Sequence, residues 1–182
     1  MSESHLRLRR LVETAIMVAA AVALSYVKIW EMPQGGSVTL GSMVPILLIA
    51  LRHGTGWGVT AGVLTGVLQY MLDPYFYHPI QVLLDYPIAF GALGLAGLAK
   101  GRSRAVAAWL GSIAIAGRFV AHVLSGVVFF GDLAPAGQSP WVYSIIYNGT
   151  YLLPEAVLSA LLLMALLPAL DRAVPASAQL QH

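Results

Sequence analysis

Three polar side chains lie inside apolar segments at one predicted depth, and their chemical types belong together. Asp85, His122 and Asn148 each lie about six residues, or roughly 9 Å of helix, from the end of an apolar run. Ionisable groups inside membrane spans are costly and are therefore candidates for function. A carboxylate, an imidazole and a carboxamide at one level predict a polar pocket between helices.

Aromatic and small residues surround this level. Gly126 and Phe130 follow His122 at helical spacing and share its face. Other aromatic residues adjoin the polar set: Tyr86, Trp141, Tyr143, Tyr147 and Tyr151. An acid would offset a positive charge, rings would stack on it, and imidazole and amide groups would read hydrogen-bonding edges. The pattern predicts a pocket for a flat, cationic aromatic molecule, since an anionic ligand would favour Lys or Arg.

A glycine pair lies between two apolar runs, in the segment MPQGGSVTLGSMVP, residues 32–45. Glycine permits close backbone approach and conformations that other residues avoid. We interpret Gln34, Gly35, Gly36 and Ser37 as a lid over the pocket. A tight re-entrant turn that only seats a short second helix is the alternative.

The other charges inside predicted spans have structural explanations. Arg118 and Glu155 lie about 20 Å along their own helices, at a matched level, and are predicted to form a buried ion pair. Glu13 lies near the start of its span, so snorkelling or pairing with an N-terminal arginine explains it.

The elements that position these residues are membrane spans. The chain has 182 residues, 58% of them hydrophobic and only 10% charged, whereas soluble domains carry roughly 25% charged residues. We predict an all-α membrane protein with six transmembrane helices in one domain, residues 11–172, between an N-terminal segment, 1–10, and a tail, 173–182. The predicted spans are 11–29, 39–51, 56–72, 80–99, 105–128 and 142–170.

Basic residues set the predicted orientation. One side of the six spans receives most of them: Arg7, Arg9, Arg10, Arg52, Lys100, Arg102, Arg104 and Arg172. The positive-inside rule then places both termini in the cytoplasm and the pocket near the outer face of the cell membrane. The basic residues therefore serve topology, and we expect no nucleic acid partner.

Small residues recur every four positions in two spans. Ala15, Ala19 and Ala23 make a smooth strip on the first helix, suited to a partner subunit or to internal packing. A glycine row runs into and through the third: Gly54, Gly58, Gly62 and Gly66. We predict internal helix packing for the glycines.

Several kinds of chemistry are excluded by the sequence. It contains no cysteine, no phosphate-binding G-x-x-x-x-G-K-[ST] motif and no spacing typical of metal ligands. We therefore expect no metal, no cofactor and no ATP hydrolysis by this chain itself.

Taken together, five strings resemble one family, the thiamine-specific substrate-binding S components of energy-coupling factor (ECF) transporters. They are MPQGGSVTLGSMVPILLIALRHG, PYFYHPIQVLLDYPIAF, HVLSGVVFFG, AP-x-GQSPWVYS and YNGTYLLPE, and they run from Met32 to Glu155. The resemblance implies a six-helix protein that binds thiamine from outside and docks on one transmembrane coupling subunit and two ATPases.

The resemblance also implies roles for residues. It assigns the ligand pocket to Asp85, Tyr86, His122, Gly126, Phe130, Tyr143 and Asn148, and contact with the coupling subunit to Ala15, Ala19 and Ala23. Some members carry Glu at the position of Asp85 and Trp at that of Phe130. The aromatic residue that caps the ligand in some members has no match here.

Three alternatives remain open from the sequence. Another vitamin or a thiamine precursor is the nearest, because it would use the same pocket. A small membrane enzyme would use Asp85 and His122 as an acid–base pair. A scaffold subunit would use only its small-residue faces.

Overall fold

The structure is a computed structural model that describes residues 3–173. These residues form six helices and one two-stranded hairpin. The helices are α1 (Glu3–Ser25), α2 (Val44–His53), α3 (Thr55–Leu72), α4 (Pro79–Ala99), α5 (Arg104–Phe129) and α6 (Pro140–Ala173). Among the described residues, α4, α5 and α6 are long and apolar enough to cross a membrane by themselves, and α2 is a shorter apolar helix. The all-α prediction is confirmed.

A two-stranded hairpin follows α1, where the sequence predicted helix as far as residue 29. Strand β1 (Lys28–Glu31) pairs antiparallel with β2 (Ser37–Thr39). Gly35 and Gly36 make the turn with φ angles of 79° and 86°, a region that side chains disfavour. Helix α1 also begins at Glu3 rather than at residue 11, so residues 3–10 continue the helix.

Helix α2 is the buried centre of the bundle. It begins at Val44 rather than at residue 39, because residues 37–39 belong to β2 and Gly41 turns the chain with a φ of 77°. Pro45 lies in its first turn, where the missing N–H has no helical partner to lose. Its first seven residues are all buried, so the short helix lies among the others and does not face lipid.

Helices α3 and α4 pack backbone against backbone. A Cβ atom on Gly62 would lie 2.1 Å from the carbonyl oxygen of Phe90, and one on Gly66 would lie 2.5 Å from that of Tyr86. A Cβ atom on Gly58 would lie 2.5 Å from the Cβ atom of Ala50 and 2.9 Å from the Cα atom of Gly94. The predicted packing role of the glycine row is confirmed for these three glycines.

Helix α4 is irregular where the sequence predicted one regular span. It consists of an α-helical turn (Pro79–Leu83), a π-helical turn (Leu84–Ile88), a short α-helix (Ala89–Ala92) and a 3₁₀ segment (Leu93–Ala99). Pro87 lies inside the π-helical turn and provides no backbone N–H. Such turns often occur at functional sites, and this one carries Asp85.

A charged cluster joins α1 to the end of α2. Glu13 contacts the nitrogen atoms of Arg9 at 2.9 Å, Arg52 at 3.2 Å and His53 at 2.6 Å. The predicted pairing with an N-terminal arginine is confirmed, and two further basic groups share the carboxylate. The predicted C-terminal segment begins at Ala173, the last residue of α6, and residues 174–182 lie outside the described residues.

Candidate functional site

One cavity of about 450 Å³ lies between the hairpin and helices α3 to α6, within the usual size range of small-molecule sites. All seven predicted pocket residues line it: Asp85, Tyr86, His122, Gly126, Phe130, Tyr143 and Asn148. The four predicted lid residues line it as well: Gln34, Gly35, Gly36 and Ser37. The structure therefore brings together predicted residues from four separate sequence segments.

Three donors orient the carboxylate of Asp85. His122 Nδ1 lies 3.1 Å from Oδ1, while Oδ2 accepts hydrogen bonds from Gln81 Nε2 at 2.8 Å and from Ser125 Oγ at 2.9 Å. The side chain is 18% exposed. A carboxylate held in one orientation beside a cavity is suited to balance a positive charge.

Gln81 and Ser125 were not among the predicted site residues, although their spacing signals them. Gln81 precedes Asp85 by four residues on α4, and Ser125 follows His122 by three on α5. Residues three or four apart lie on one helix face. These two partners of Asp85 were therefore readable from helical spacing.

The predicted ion pair between Arg118 and Glu155 is wrong. Arg118 instead donates from Nε to His122 Nε2 at 3.4 Å, and its guanidinium carbon lies 4.1 Å from the centre of the Phe90 ring. Arg118 also lines the cavity. Because His122 Nε2 accepts this hydrogen bond, Nδ1 is the ring nitrogen that carries the proton and donates to Asp85.

Glu155 has other partners, which the sequence pattern did not indicate. Its carboxylate accepts hydrogen bonds from the backbone N–H of Thr39, from Thr39 Oγ1 at 2.6 Å and from Ser42 Oγ at 3.3 Å. These donors come from the corner between β2 and α2. Because that corner lies against α6, the carboxylate is satisfied there and does not contact Arg118 directly.

Asn148 connects α5 to α6 inside the site. Its Nδ2 donates to the carbonyl oxygens of Ser144 at 2.9 Å and His122 at 3.4 Å, and its Oδ1 accepts from Tyr151 Oη at 2.7 Å. These bonds use its donors and one acceptor position. Asn148 therefore fixes the Tyr151 ring, which also makes an edge contact with His122.

Aromatic rings form the outer part of the cavity. Phe130 lies 6.0 Å from Tyr75 and 5.3 Å from Tyr77 between ring centres, and Tyr143 lies 5.9 Å from Tyr147. Gly126 lets α6 approach α5 closely, since a Cβ atom on Gly126 would lie 2.2 Å from Ser144 Oγ. Of these rings, those of Tyr75, Phe130, Tyr143 and Tyr147 line the cavity, while Tyr77 packs against Phe130 outside it.

The hairpin turn is bound to α6. Tyr147 Oη accepts from the N–H of Gln34 at 2.9 Å and donates to the carbonyl oxygen of Gly35 at 2.8 Å. Gly36 lies against the Tyr151 ring, because a Cβ atom added to Gly36 would lie 2.6 Å from a carbon atom of that ring. The hairpin therefore forms part of the cavity wall, beyond any role in seating α2.

Charged residues at the cavity mouth join the hairpin to the loop after α3. Lys28 Nζ lies 2.6 Å from Glu31 Oε1 and 3.3 Å from Asp73 Oδ2. The hydrogen bond to Glu31 raises the pKa of the Lys28 ammonium. Lys28 therefore stays charged at neutral pH, and both contacts persist.

The alanine row of α1 lies on an open face. Ala15, Ala19 and Ala23 are all exposed in the described part of the chain, as are their neighbours Val12 and Ile16. No element of the described chain covers this strip. It is available for lipid or for another subunit.

Comparison with known proteins gives consistent results. The profile of the thiamine transporter protein family (Thia_YuaJ) matches residues 11–174. The chain is 42% identical over 175 residues to the thiamine transporter ThiT of Bacillus subtilis, covering 88% of this chain and 91% of that protein. It is 33% identical over 184 residues to ThiT of Lacticaseibacillus paracasei, covering 91% and 90%.

A solved structure is also similar. ThiT from Listeria monocytogenes superposes with a TM-score of 0.79 at 28% identity, covering 90% of this chain and 95% of that one. These relatives are membrane transporters and not enzymes, so the enzyme alternative is set aside. The family profile covers the hairpin, helices α2 to α6, most of α1 and every residue that lines the cavity, and the chain belongs to the thiamine transporter protein family.

Proposed function

We propose that this chain is the thiamine-binding S component of an ECF-type vitamin uptake transporter. The observation that carries the proposal is the oriented carboxylate of Asp85 in a cavity with aromatic walls. Thiamine joins a permanently cationic thiazolium ring to an aminopyrimidine, and it suits such a cavity chemically. The names of the relatives support this choice of ligand.

Thiamine enters from the outer side and lies between the hairpin and the polar level. Asp85 balances the cation, and the rings of Phe130 and Tyr143 offer π faces. His122 and Asn148 hold the polar wall in place through their hydrogen bonds. The residues Gln34 to Ser37 act as the lid, which binding holds closed.

The exposed alanine strip of α1 docks on the transmembrane coupling subunit of a module that also contains two ATPases. Its small side chains allow a second helix to approach closely. The sequence carries no nucleotide-binding motif, so energy for release must come from such a module.

Isothermal titration of the detergent-purified protein with thiamine tests ligand binding. We expect saturable one-to-one binding that Asp85→Asn nearly abolishes and His122→Ala weakens, with folding checked by circular dichroism. Pyrithiamine should compete, while riboflavin and biotin should not. Absence of binding by the folded wild-type protein would contradict the proposal and direct attention to other vitamins or thiamine precursors.

A bulky residue in the alanine strip tests docking separately. We expect Ala19→Trp to bind thiamine normally but to lose co-purification with the coupling subunit and ATPases from membranes. Leu64→Trp is the matched control, because Leu64 is exposed on α3 instead. Equal co-purification of both variants would rule out docking through this strip.

A further inference from the structure

Two carboxylates and one guanidinium lie around one cavity, and of the three groups Glu155 is the most deeply buried. Arg118 connects to Asp85 through the His122 ring, with the 3.4 Å and 3.1 Å contacts described above. Arg118 also lines the same cavity as Thr39 and Ser42, the two residues whose hydroxyl groups hold Glu155. Among the described residues, Arg118 forms no ion pair within 4 Å of either acid, so its positive charge is not tied to one of them.

Glu155 is placed to act as a fixed negative charge. It is only 2% exposed, and all three of its partners are donors: one backbone N–H and the two hydroxyl groups of Thr39 and Ser42. An ionised carboxylate only accepts hydrogen bonds, so it suits this donor set. Thr39 and Ser42 line the cavity, which places the charge just behind the wall.

The balance of these buried charges matters for a cationic ligand. Arg118 alone would cancel the charge of Asp85, whose carboxylate it reaches through one imidazole ring. With Glu155 included, the three groups carry one net negative charge. The charged residues at the mouth pair with one another through Lys28 and are nearer to solvent, where screening is stronger.

We propose that Glu155 is a specificity-determining residue, which neutralises Arg118 so that the charge of Asp85 remains available to the ligand cation. Glu155 acts through Arg118 and does not contact the ligand. This inference rests on the proposed function, because it takes the cationic thiazolium ring as the group that is recognised. It predicts that Glu155 favours cations over neutral molecules of the same shape.

The test compares thiamine with its neutral isostere, in which a thiophene ring replaces the thiazolium. The readout is the ratio of the two dissociation constants for each purified variant. We expect Glu155→Gln to lower the preference for thiamine on the order of tenfold, because it removes one unit of negative charge from behind the cavity wall, at an effective dielectric constant near 20. A purely structural role would weaken both ligands and leave the ratio unchanged.

Variants of Arg118 provide a second test, because removing its positive charge should change the ratio in the opposite direction. Arg118→Gln should raise the preference for thiamine, and the double variant Glu155→Gln with Arg118→Gln should return it to near the wild-type ratio. If Glu155→Gln alone fails to fold, the double variant is compared with Arg118→Gln, and equal ratios in these two variants overturn the inference. Asp132→Asn is the matched control, since it removes an exposed carboxylate outside the cavity and should change the ratio less than about twofold.

The outcomes separate the two proposals. A folded wild-type protein that binds neither compound overturns the proposed function. A wild-type preference for thiamine that is unchanged in Glu155→Gln, or that does not rise in Arg118→Gln, overturns the inference about Glu155 and leaves the proposed function intact.

Discussion

The hydroxyl group of Tyr147 donates a hydrogen bond to the carbonyl oxygen of Gly35 at 2.8 Å. The hydroxyl oxygen of Tyr147 also accepts a hydrogen bond from the backbone N–H of Gln34, so one side chain of α6 holds the hairpin turn by its backbone. The turn residues need no side chain for this contact. Glycine at this turn is therefore compatible with a firmly attached lid.

Removing that hydroxyl should release the lid. We expect Tyr147→Phe to speed thiamine dissociation roughly fivefold, since losing a hydrogen bond of this kind costs about 1 kcal/mol. Stopped-flow tryptophan fluorescence measures the rate. Tyr77→Phe, which removes a hydroxyl from an exposed ring outside the cavity, should leave the rate unchanged, and equal rates in both variants would argue against attachment through Tyr147.

The neutral donors to Asp85 should matter for affinity. Gln81→Met keeps the side-chain length but removes the 2.8 Å hydrogen bond to Oδ2, so the carboxylate loses one of its three orienting partners. We expect thiamine affinity to fall about three- to tenfold, as for one hydrogen bond to a charged group. Titration calorimetry provides the measurement, and an unchanged dissociation constant would show that His122 and Ser125 suffice.

The contact between Gly66 and Tyr86 should tolerate no side chain. A methyl group would lie 2.5 Å from the Tyr86 carbonyl oxygen, so Gly66→Ala must separate α3 from the turn that carries Asp85. We expect a loss of roughly 1–3 kcal/mol in the free energy of unfolding, together with weaker thiamine binding.

Gly56→Ala is the internal control for that prediction. It lies on the same helix, and an added Cβ there meets no atom within 4 Å. We expect equal or greater stability, because alanine favours helix over glycine by up to about 1 kcal/mol. Thermal unfolding in detergent compares the two variants, and similar melting temperatures would contradict the packing interpretation.

Glu13 should stabilise the opposite end of the bundle. Glu13→Gln leaves Arg52 and His53 without their shared carboxylate, and we expect a loss of about 1–2 kcal/mol in the free energy of unfolding. Thiamine affinity should not change, because the cluster lies outside the cavity lining. Glu3→Gln removes an exposed acid from the same helix and should leave the melting temperature unchanged.

Helical spacing was sufficient to predict the polar level of the site. Counting residues along three separate spans placed Asp85, His122 and Asn148 at one depth, and all three line the cavity. The count succeeds because each helix has a fixed rise per residue and the spans begin near a common plane. It requires only that each helix be roughly regular between its end and the residue counted.

The same count failed for Arg118 and Glu155 because depth says nothing about competing donors. Glu155 finds three donors at the corner after β2, and a strand of three residues leaves no readable periodicity. The sequence therefore predicted helix at residue 39, where the chain is still in a strand. Because this strand was predicted as helix, the donors that bind Glu155 were missed, and Arg118 was predicted as its partner instead.

The π-helical turn in α4 makes the site depend on a count of residues as well as on their identities. Such a turn is an α-helix with one residue inserted. Deleting Leu84 would restore ordinary helical winding and rotate the part of α4 before the turn, which carries Gln81, by about 100° relative to the part after it. Gln81 would then turn away from the carboxylate of Asp85 that it orients, so a relative one residue shorter in this turn would have a weaker cation site although it kept every residue of the pocket.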